Sequence, residues 1–361
     1  MILVLSSATV IPLTRGQSKP EAGAPPALSS ATREKVVRYI RQRFGVPDNV
    51  QLILGPLRKT YAADFYESTV TVDDGKKKTE QILLISRDSR FLIMGGFIDL
   101  KQNTNAEMVR ALRETFKVPD TTKLSVGTFH ASAAPDFQQG SLVADDGKTK
   151  QDPHTLLLSK DGRHLIMGEI FDLGVDLQAH ALRTISLRNE PYQGPVNAPV
   201  TIVEYADLEC PTCAKMHEFI ENDLLPRYPG KIRVVFKEFP LAMHDWSLIA
   251  AIGCQCAYQL NPTSYVPLRS AIFRSQMGIN ITNVRDMVLN YGEQAGADRV
   301  KLAACLDSKA SMPRIEADLK EAKAVHVDRT PTAFVNGKML IGLPSNEDYY
   351  RAVDEVLHAG K

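Results

Sequence analysis

The first 209 residues of this 361-residue chain contain no cysteine. All five cysteines follow that point, as Cys210, Cys213, Cys254, Cys256 and Cys305. Disulfide, thiol or thiolate–metal chemistry is therefore confined to the C-terminal part of the chain. Because five is an odd number, at least one cysteine has no disulfide partner within a single chain.

The sequence also lacks an excess of charge and an apolar run long enough to span a membrane. Its 43 basic and 42 acidic residues leave a formal net charge of +1, which gives no sign of a nucleic-acid partner. Residues 1–13 are apolar but shorter than a membrane span. We interpret residues 1–30 as a signal-like leader and spacer, which predicts a periplasmic or otherwise extracytoplasmic protein; the alternative is a disordered tail.

The cysteine-free half contains an internal repeat. Four short motifs recur in the same order at an offset of 72 or 73 residues. The pairs are Phe44–Asp48 with Phe116–Asp120, Asp73–Lys76 with Asp145–Lys148, Leu92–Gly95 with Leu165–Gly168, and Ile98–Leu100 with Phe171–Leu173. These matches indicate a duplication, which we place at residues 31–102 and 103–173.

Each repeat is predicted to be an α+β unit, with one helix followed by about four antiparallel strands. Apolar residues at helical spacing precede a Val-Pro-Asp sequence, where proline ends the helix. Asp74-Gly75 and Asp146-Gly147 are turn signals between strand-like runs. Neither repeat carries a catalytic cluster, so we interpret both as binding or assembly modules. Residues 174–198, with several prolines, are predicted to be a linker.

The chemistry of the second half centres on Cys210-Pro211-Thr212-Cys213. A strand-forming run, Val200–Tyr205, precedes this motif and an amphipathic helical pattern follows it. The first amides of a helix are unpaired and favour negative charge, so a thiolate there is stabilised. This placement predicts that Cys210 is the exposed nucleophile and Cys213 the buried resolving thiol. Glu209 would oppose this effect by raising the pKa of the neighbouring thiol.

The other cysteines give two further hypotheses. A zinc site commonly needs a second Cys-x-x-Cys pair, and Cys254-x-Cys256 has the wrong spacing, so we expect no metal. Cys256 lies on the apolar stripe of a predicted helix, whereas Cys254 points away from it. We therefore predict a structural disulfide between Cys256 and Cys305; two separate buried thiols are the alternative.

Three motifs in order resemble the DsbA-like branch of the thioredoxin superfamily. They are VTIVEYADLECPTCAKMHEF at 200–219, VVFKEFPL at 234–241 and RTPTAFVNG at 329–337. The resemblance implies an α/β thioredoxin fold over residues 199–361, with a helical insertion at 241–325, preceded here by the two tandem α+β repeats. It also implies protein thiol or disulfide substrates, a redox partner that regenerates the cysteine pair, and no cofactor.

The same resemblance assigns roles to several residues. Thr330-Pro331 matches the cis-proline loop beside the cysteines, so Thr330 and Pro331, with Pro211 and Thr212, are the expected substrate-binding residues. Glu204 matches a buried acid beneath Cys213, which can take the proton of that thiol. Lys237 on the next strand is expected to pair with Glu204. An ordinary trans proline and a solvated ion pair are the alternatives, and His217 is expected to be solvated.

These residues favour a thiol–disulfide oxidoreductase that forms, isomerises or reduces disulfides in secreted proteins. The alternatives are a chaperone or a metal carrier built on the same scaffold. Repeats before a thioredoxin domain also resemble the layout of the DsbC and DsbG isomerases. We therefore expect a homodimer or an intrachain pseudo-dimer, with the sheets or helices of the repeats facing each other or a second subunit.

Overall fold

The computed structural model describes residues 27–147, 153–343 and 345–359. Most of the predicted leader, residues 1–26, lies outside the described residues. The described residues form two compact units, one within residues 27–40 and 48–175 and one within residues 41–47 and 176–359. In the part that the structure describes, no helix is both long and apolar enough to cross a membrane.

The described part of the first unit contains two helices and ten strands. The helices are α1 (Ser30–Phe44, whose last turn belongs to the second unit) and α2 (Asn105–Phe116). The strands of the first repeat are β1 (Gln51–Leu54), β2 (Arg58–Lys59), β3 (Phe65–Asp73), β4 (Lys78–Ser86) and β5 (Phe91–Asp99). Those of the second repeat are β6 (Lys123–Val126), β7 (His130–Ala131), β8 (Phe137–Asp145), β9 (His154–Ser159) and β10 (His164–Asp172).

Both repeats belong to one continuous antiparallel sheet, in the order β1-β3-β4-β5-β10-β9-β8-β6. The expectation that their sheets face each other is therefore wrong, because the repeats join edge to edge through β5 and β10. Packing against a second subunit stays a prediction. The sheet is buried on both faces. Leu156, Leu158 and Leu165 pack against α2, whereas Leu157 and Ile166 lie on the opposite face.

The β5–β10 junction is self-complementary. Gly95 lies opposite Gly168, its counterpart in the repeat, and the nine paired positions run symmetrically from this centre. Other counterparts also meet: the Asp64 amide donates to Asp136 at 2.6 Å, and the Phe65 and Phe137 rings lie edge to face at 5.4 Å. The duplication thus builds inside one chain the kind of isologous contact that a two-fold dimer builds between chains.

The second unit is a five-stranded sheet with helices around it. The sheet order is β11-β13-β12-β14-β15, with β12 and β13 parallel and the other pairs antiparallel. The strands are β11 (Tyr192–Gln193), β12 (Val200–Ala206), β13 (Ile232–Glu238), β14 (Thr332–Val335) and β15 (Lys338–Ile341). The helices are α3 (Leu177–Thr184), α4 (Pro211–Phe219), α5 (Leu225–Arg227), α6 (Ser247–Leu260), α7 (Tyr265–Arg274), α8 (Val284–Gln294), α9 (Arg299–Asp307), α10 (Met312–Ala324) and α11 (Asn346–Ala359).

The prediction of a linker at residues 174–198 is wrong, because this segment contributes α3 and β11 to the second unit. Asp176 caps α3 by accepting a hydrogen bond from the Ala179 amide at 2.9 Å. Ala181 is buried in the cluster that contains Val203, and Tyr192 pairs with Val235. The boundary between the units therefore lies at residues 175 and 176.

The two central glycines of the junction generate a first prediction. A Cβ atom on Gly168 would overlap the carbonyl oxygen of Met94 and the Cα of Gly95. Gly168→Ala should therefore destabilise the first unit by about 1–3 kcal/mol, the usual cost of overpacking. Hydrogen exchange should show lost amide protection in β5 and β10. Gly278→Ala, where a Cβ meets nothing within 4 Å, is the matched control; equal protection in both variants would contradict the prediction.

Candidate active site

The two cysteines of the motif lie where β12 gives way to α4. Cys210 is the N-cap residue of α4, and Pro211 occupies its first turn, where the missing proline amide costs no hydrogen bond. The amides of Cys213 and Ala214 donate to the Cys210 carbonyl at 3.0 and 3.2 Å. The sequence therefore places both sulfurs in the first turn of a helix, as its pattern indicates.

The two sulfurs differ in accessibility and in charge. Cys210 is 8% exposed and Cys213 is fully buried, so Cys210 is the more accessible thiol, although less exposed than the sequence predicts. The hydrogen bond from Cys213 lowers the pKa of Cys210 to about 5, helped by the Cys213 and Thr212 amides and by Thr330, against the effect of burial. Burial, and next the hydrogen bond to Cys210, raises the pKa of Cys213 well above its ordinary value.

The loop at Thr330 and Pro331 lies against the Cys210 sulfur. The Thr330–Pro331 peptide bond is cis, and the Cys210 sulfur lies 3.7 Å from the Thr330 carbonyl oxygen. Pro211 and Thr212 are exposed beside Cys210, whereas Pro331 is buried. The fold thus brings the Thr330 loop to the cysteine pair, while the role of these four residues in substrate binding stays a prediction.

Glu204 is fully buried, and its partner is not Lys237. Its Oε2 lies 2.8 Å from Nη2 of Arg269 in α7. In the parallel register Glu204 pairs with Phe236, whereas Tyr205 pairs with Lys237. Because successive side chains of a strand point to opposite faces, Glu204 and Lys237 lie on different sides of the sheet. The expected ion pair between them is therefore wrong.

Lys237 instead belongs to a buried ionic cluster on the far side of the sheet. Its Nζ lies 2.5 Å from Glu190, 2.9 Å from Glu321 and 3.3 Å from Asp318. Arg314 also contacts Glu190 and Asp318. This cluster ties β13 to α10 and to the segment before β11, which assigns Lys237 a structural position rather than one beside the cysteines.

Arg269 is the residue of this site that the sequence reasoning missed. It lies on the buried side of α7 with Tyr265, Leu268 and Ile272, and a charged residue within such an apolar stripe signals a buried ion pair. Its Nη1 is 3.3 Å from Nδ1 of His217. His217 is buried, not solvated as expected, and burial and then Arg269 lower its pKa to about 3.

Three polar side chains hold the loop that carries Cys210. Glu209 accepts hydrogen bonds from the amides of Trp246 and Ser247 at 2.7 and 3.0 Å, and so caps the start of α6. Its expected effect on the Cys210 pKa stays a prediction. Asp207 accepts from the Leu241 amide and binds His244 Nδ1. Gln276 donates to the Leu208 and Cys210 carbonyls.

The remaining cysteines lie in the helical insertion. Cys256 of α6 and Cys305 of α9 form a disulfide with a Cα–Cα distance of 5.9 Å, the pair favoured by the sequence analysis. Cys254 is a buried free thiol. Within residues 27–147, 153–343 and 345–359, no group of three or more His, Cys, Asp or Glu side chains is placed to hold a metal ion.

Comparison with known proteins identifies the second unit. A family model described as thioredoxin matches residues 186–355. Residues 186–355 therefore match the thioredoxin family. The match confirms the predicted fold class for the C-terminal half, and it begins inside the segment first interpreted as a linker.

Relatives of the thioredoxin domain occur in proteins of different length. The chain is 33% identical over 150 residues to the Na(+)/H(+) antiporter NhaA of Herminiimonas arsenicoxydans, covering 42% of this chain and 23% of the antiporter. It is 24% identical over 177 residues to disulfide bond formation protein D of Bacillus subtilis, covering 48% of this chain and 79% of that protein. The crystal structure of oxidised BdbD from Bacillus subtilis shares 20% identity at a TM-score of 0.43, covering 48% of this chain and 95% of that one.

The contrast between the two thiols predicts a selective alkylation. Because the pKa of Cys210 is lowered to about 5, its thiolate is present above that pH and is lost as the pH falls through it. Iodoacetamide should therefore label Cys210 first in the reduced chain, at a rate that halves near pH 5. Cys213→Ala removes the hydrogen bond of the Cys213 thiol and is the control for its effect. First labelling of Cys213 would reverse the assignment.

The position of Lys237 predicts that its loss lowers the stability of the domain but does not change the reactivity of Cys210. Lys237→Met leaves the buried Glu190 and Asp318 and the half-buried Glu321 with less positive charge, so it should lower the free energy of unfolding by about 3–5 kcal/mol. The alkylation profile of Cys210 should not change. Lys338→Met, which breaks the exposed pair with Glu355, should cost about 0–1 kcal/mol and serves as the control. A shifted Cys210 profile in Lys237→Met would argue for a role in the chemistry.

Proposed function

We propose that this chain is a protein thiol–disulfide oxidoreductase that acts through Cys210 and Cys213 on extracytoplasmic proteins. The observation that carries the proposal is the contrast between the two sulfurs. Cys210 is the more accessible and has a lowered pKa, whereas Cys213 is fully buried and has a raised pKa. A pair with this asymmetry suits nucleophilic attack by Cys210 followed by resolution by Cys213.

The exchange proceeds in two displacement steps. The Cys210 thiolate attacks one sulfur of a substrate disulfide, and the other substrate sulfur leaves as a thiolate. Cys213, once deprotonated, then attacks Cys210, and the electrons of the mixed disulfide leave with the substrate sulfur. The substrate is reduced and the cysteine pair is oxidised; the reverse sequence oxidises a substrate dithiol.

The lowered pKa of Cys210 favours the oxidising direction. A stabilised thiolate makes the reduced pair more stable, so the disulfide form gives up its bond more readily to a substrate. A redox partner must then reoxidise the cysteine pair. The disulfide between Cys256 and Cys305 supports an oxidising compartment, because such bonds persist outside the cytosol.

Exposed methionines beside the active-site loop support unfolded protein as the substrate. Met277 is 98% exposed in the turn whose Gln276 binds the Cys210 carbonyl. Met243 is 81% exposed next to His244, which binds Asp207. Methionine side chains are flexible and adapt to varied apolar partners, which fits recognition of many different chains.

The first unit is proposed to hold large substrates as an intrachain pseudo-dimer. Its two repeats complete a single sheet, so one chain can supply what two chains supply in a dimer. Because this unit is covalently attached, a substrate bound to it stays at a raised effective concentration for the cysteine pair. A homodimer of the whole chain is the alternative arrangement.

Activity assays test the proposal directly. The oxidised chain should accelerate disulfide formation in a reduced protein, and the reduced chain should reduce insulin; Cys210→Ser should abolish both, because it removes the attacking sulfur. Activity that survives in Cys210→Ser would contradict the proposal. Protection of a client from aggregation without exchange would favour a chaperone, and stoichiometric zinc on the reduced chain would favour a metal carrier.

A second arm of the same assay tests the first unit. Removal of residues 48–175 should leave exchange with a small disulfide intact, which reports that the thioredoxin domain is folded. Refolding of a large scrambled protein should become slower, because the tethered binding unit is gone. Equal rates on the large substrate would show that this unit serves another purpose.

A further inference from the structure

The two oxygens of the Glu204 carboxylate have different surroundings. Oε2 lies 2.8 Å from Nη2 of Arg269. Oε1 is buried, yet it accepts no hydrogen bond from any residue that the structure describes. A buried carboxylate oxygen without a hydrogen-bond partner lowers the stability of the fold. Such an oxygen can also receive a proton. One oxygen of Glu204 is thus anchored and the other is left open.

Arg269 is held rigidly where it meets Glu204. Its guanidinium lies over the Phe236 ring at 4.4 Å and over the Phe273 ring at 4.7 Å. Both its position in α7 and these contacts fix the plane of the guanidinium, whose geometry suits a carboxylate. The cation therefore comes from the helical insertion, whereas Glu204 comes from the central sheet.

The other ionisable groups that face Glu204 supply no positive charge. Cys213 of α4, Glu221 of the π turn at Ile220–Leu224 and Tyr349 of α11 interact electrostatically with Glu204. Arg269 itself contacts His217 and interacts with the buried Glu238 and Tyr265. His217 is neutral near pH 7, because burial and Arg269 lower its pKa to about 3. Burial raises the pKa of Glu204, and Arg269 is the group among these that opposes the rise.

We propose that Arg269 is a positioning residue for the exchange reaction, keeping Glu204 as a carboxylate whose Oε1 is free to exchange a proton with Cys213. The inference rests on the proposed function. The proposed role of Arg269 is exerted through Glu204 and not by contact with the reacting sulfurs.

The proton and electrons balance in the resolving step. The Cys213 thiol gives its proton to Glu204, its sulfur forms a bond to the Cys210 sulfur, and the electrons of the mixed disulfide leave with the departing sulfur. In the reverse direction Cys213 leaves as a thiolate and takes the proton back. Without Arg269, nothing among these groups opposes the rise in the Glu204 pKa that burial causes, so Glu204 accepts the proton less readily.

Reaction of the reduced full chain with dithionitrobenzoate separates the two steps. Attack by Cys210 releases one coloured thiolate at a rate that depends on the reagent concentration. Attack by Cys213 on the mixed disulfide releases the second at a rate independent of it. The rate of the first phase therefore measures attack by Cys210. The rate of the second measures attack by Cys213, the thiol whose proton Glu204 is proposed to accept.

Arg269→Met should slow the second phase about tenfold near neutral pH and displace its pH profile upward by about one unit. The first phase should not change. Arg269→Lys, which keeps a positive charge, should restore most of the rate. The matched control is Arg285→Met, which breaks the exposed pair with Asp307 in the same insertion and should alter neither phase.

An unchanged second-phase profile in Arg269→Met would overturn the proposal. If that variant does not fold, the double variant Glu204→Gln with Arg269→Met removes both partners of the buried ion pair and carries the test. It should show the slow second phase of Glu204→Gln alone; a further displacement by Arg269→Met would mean that Arg269 acts by another route. A wild-type chain without a first phase would instead contradict the proposed function.

Discussion

Charge buried on both faces of the central sheet organises the thioredoxin domain. Glu204 of β12 lies on one face and Lys237 of β13 lies on the other. Taking an ion out of water costs several kcal/mol unless a partner accompanies it. Each face therefore contains its own cation, Arg269 on the side of the cysteines and Lys237 on the far side. Helices α7 and α10 must dock correctly for either face to be neutralised.

This requirement links the helical insertion to the chemistry. The insertion supplies Arg269 to Glu204 and Gln276 to the Cys210 carbonyl, and Glu209 in turn caps α6. The insertion and the cysteine loop thus depend on each other for hydrogen-bond partners. A disulfide between α6 and α9 braces the same insertion.

Local sequence patterns predicted much of this arrangement, but they could not predict contacts between residues that are far apart in the sequence. The place of Cys210 at a helix start and the turn at Asp74-Gly75 follow from signals within a few residues. Arg269 is 65 residues from Glu204, so no spacing rule connects them. Lys237 was assigned to the wrong partner because the register, not proximity in sequence, decides the face. The short helix α3 was missed because nearby prolines resemble a linker.

The two ends of the β5–β10 junction can change independently in sequence. In a symmetric dimer each substitution appears twice, so both ends of the contact change together. Here one gene encodes each end separately. His164 already faces Asp99 at one end, whereas Phe91 faces Asp172 at the other. Duplication within the chain therefore frees the two halves to specialise, and because they share a backbone, dilution cannot separate them.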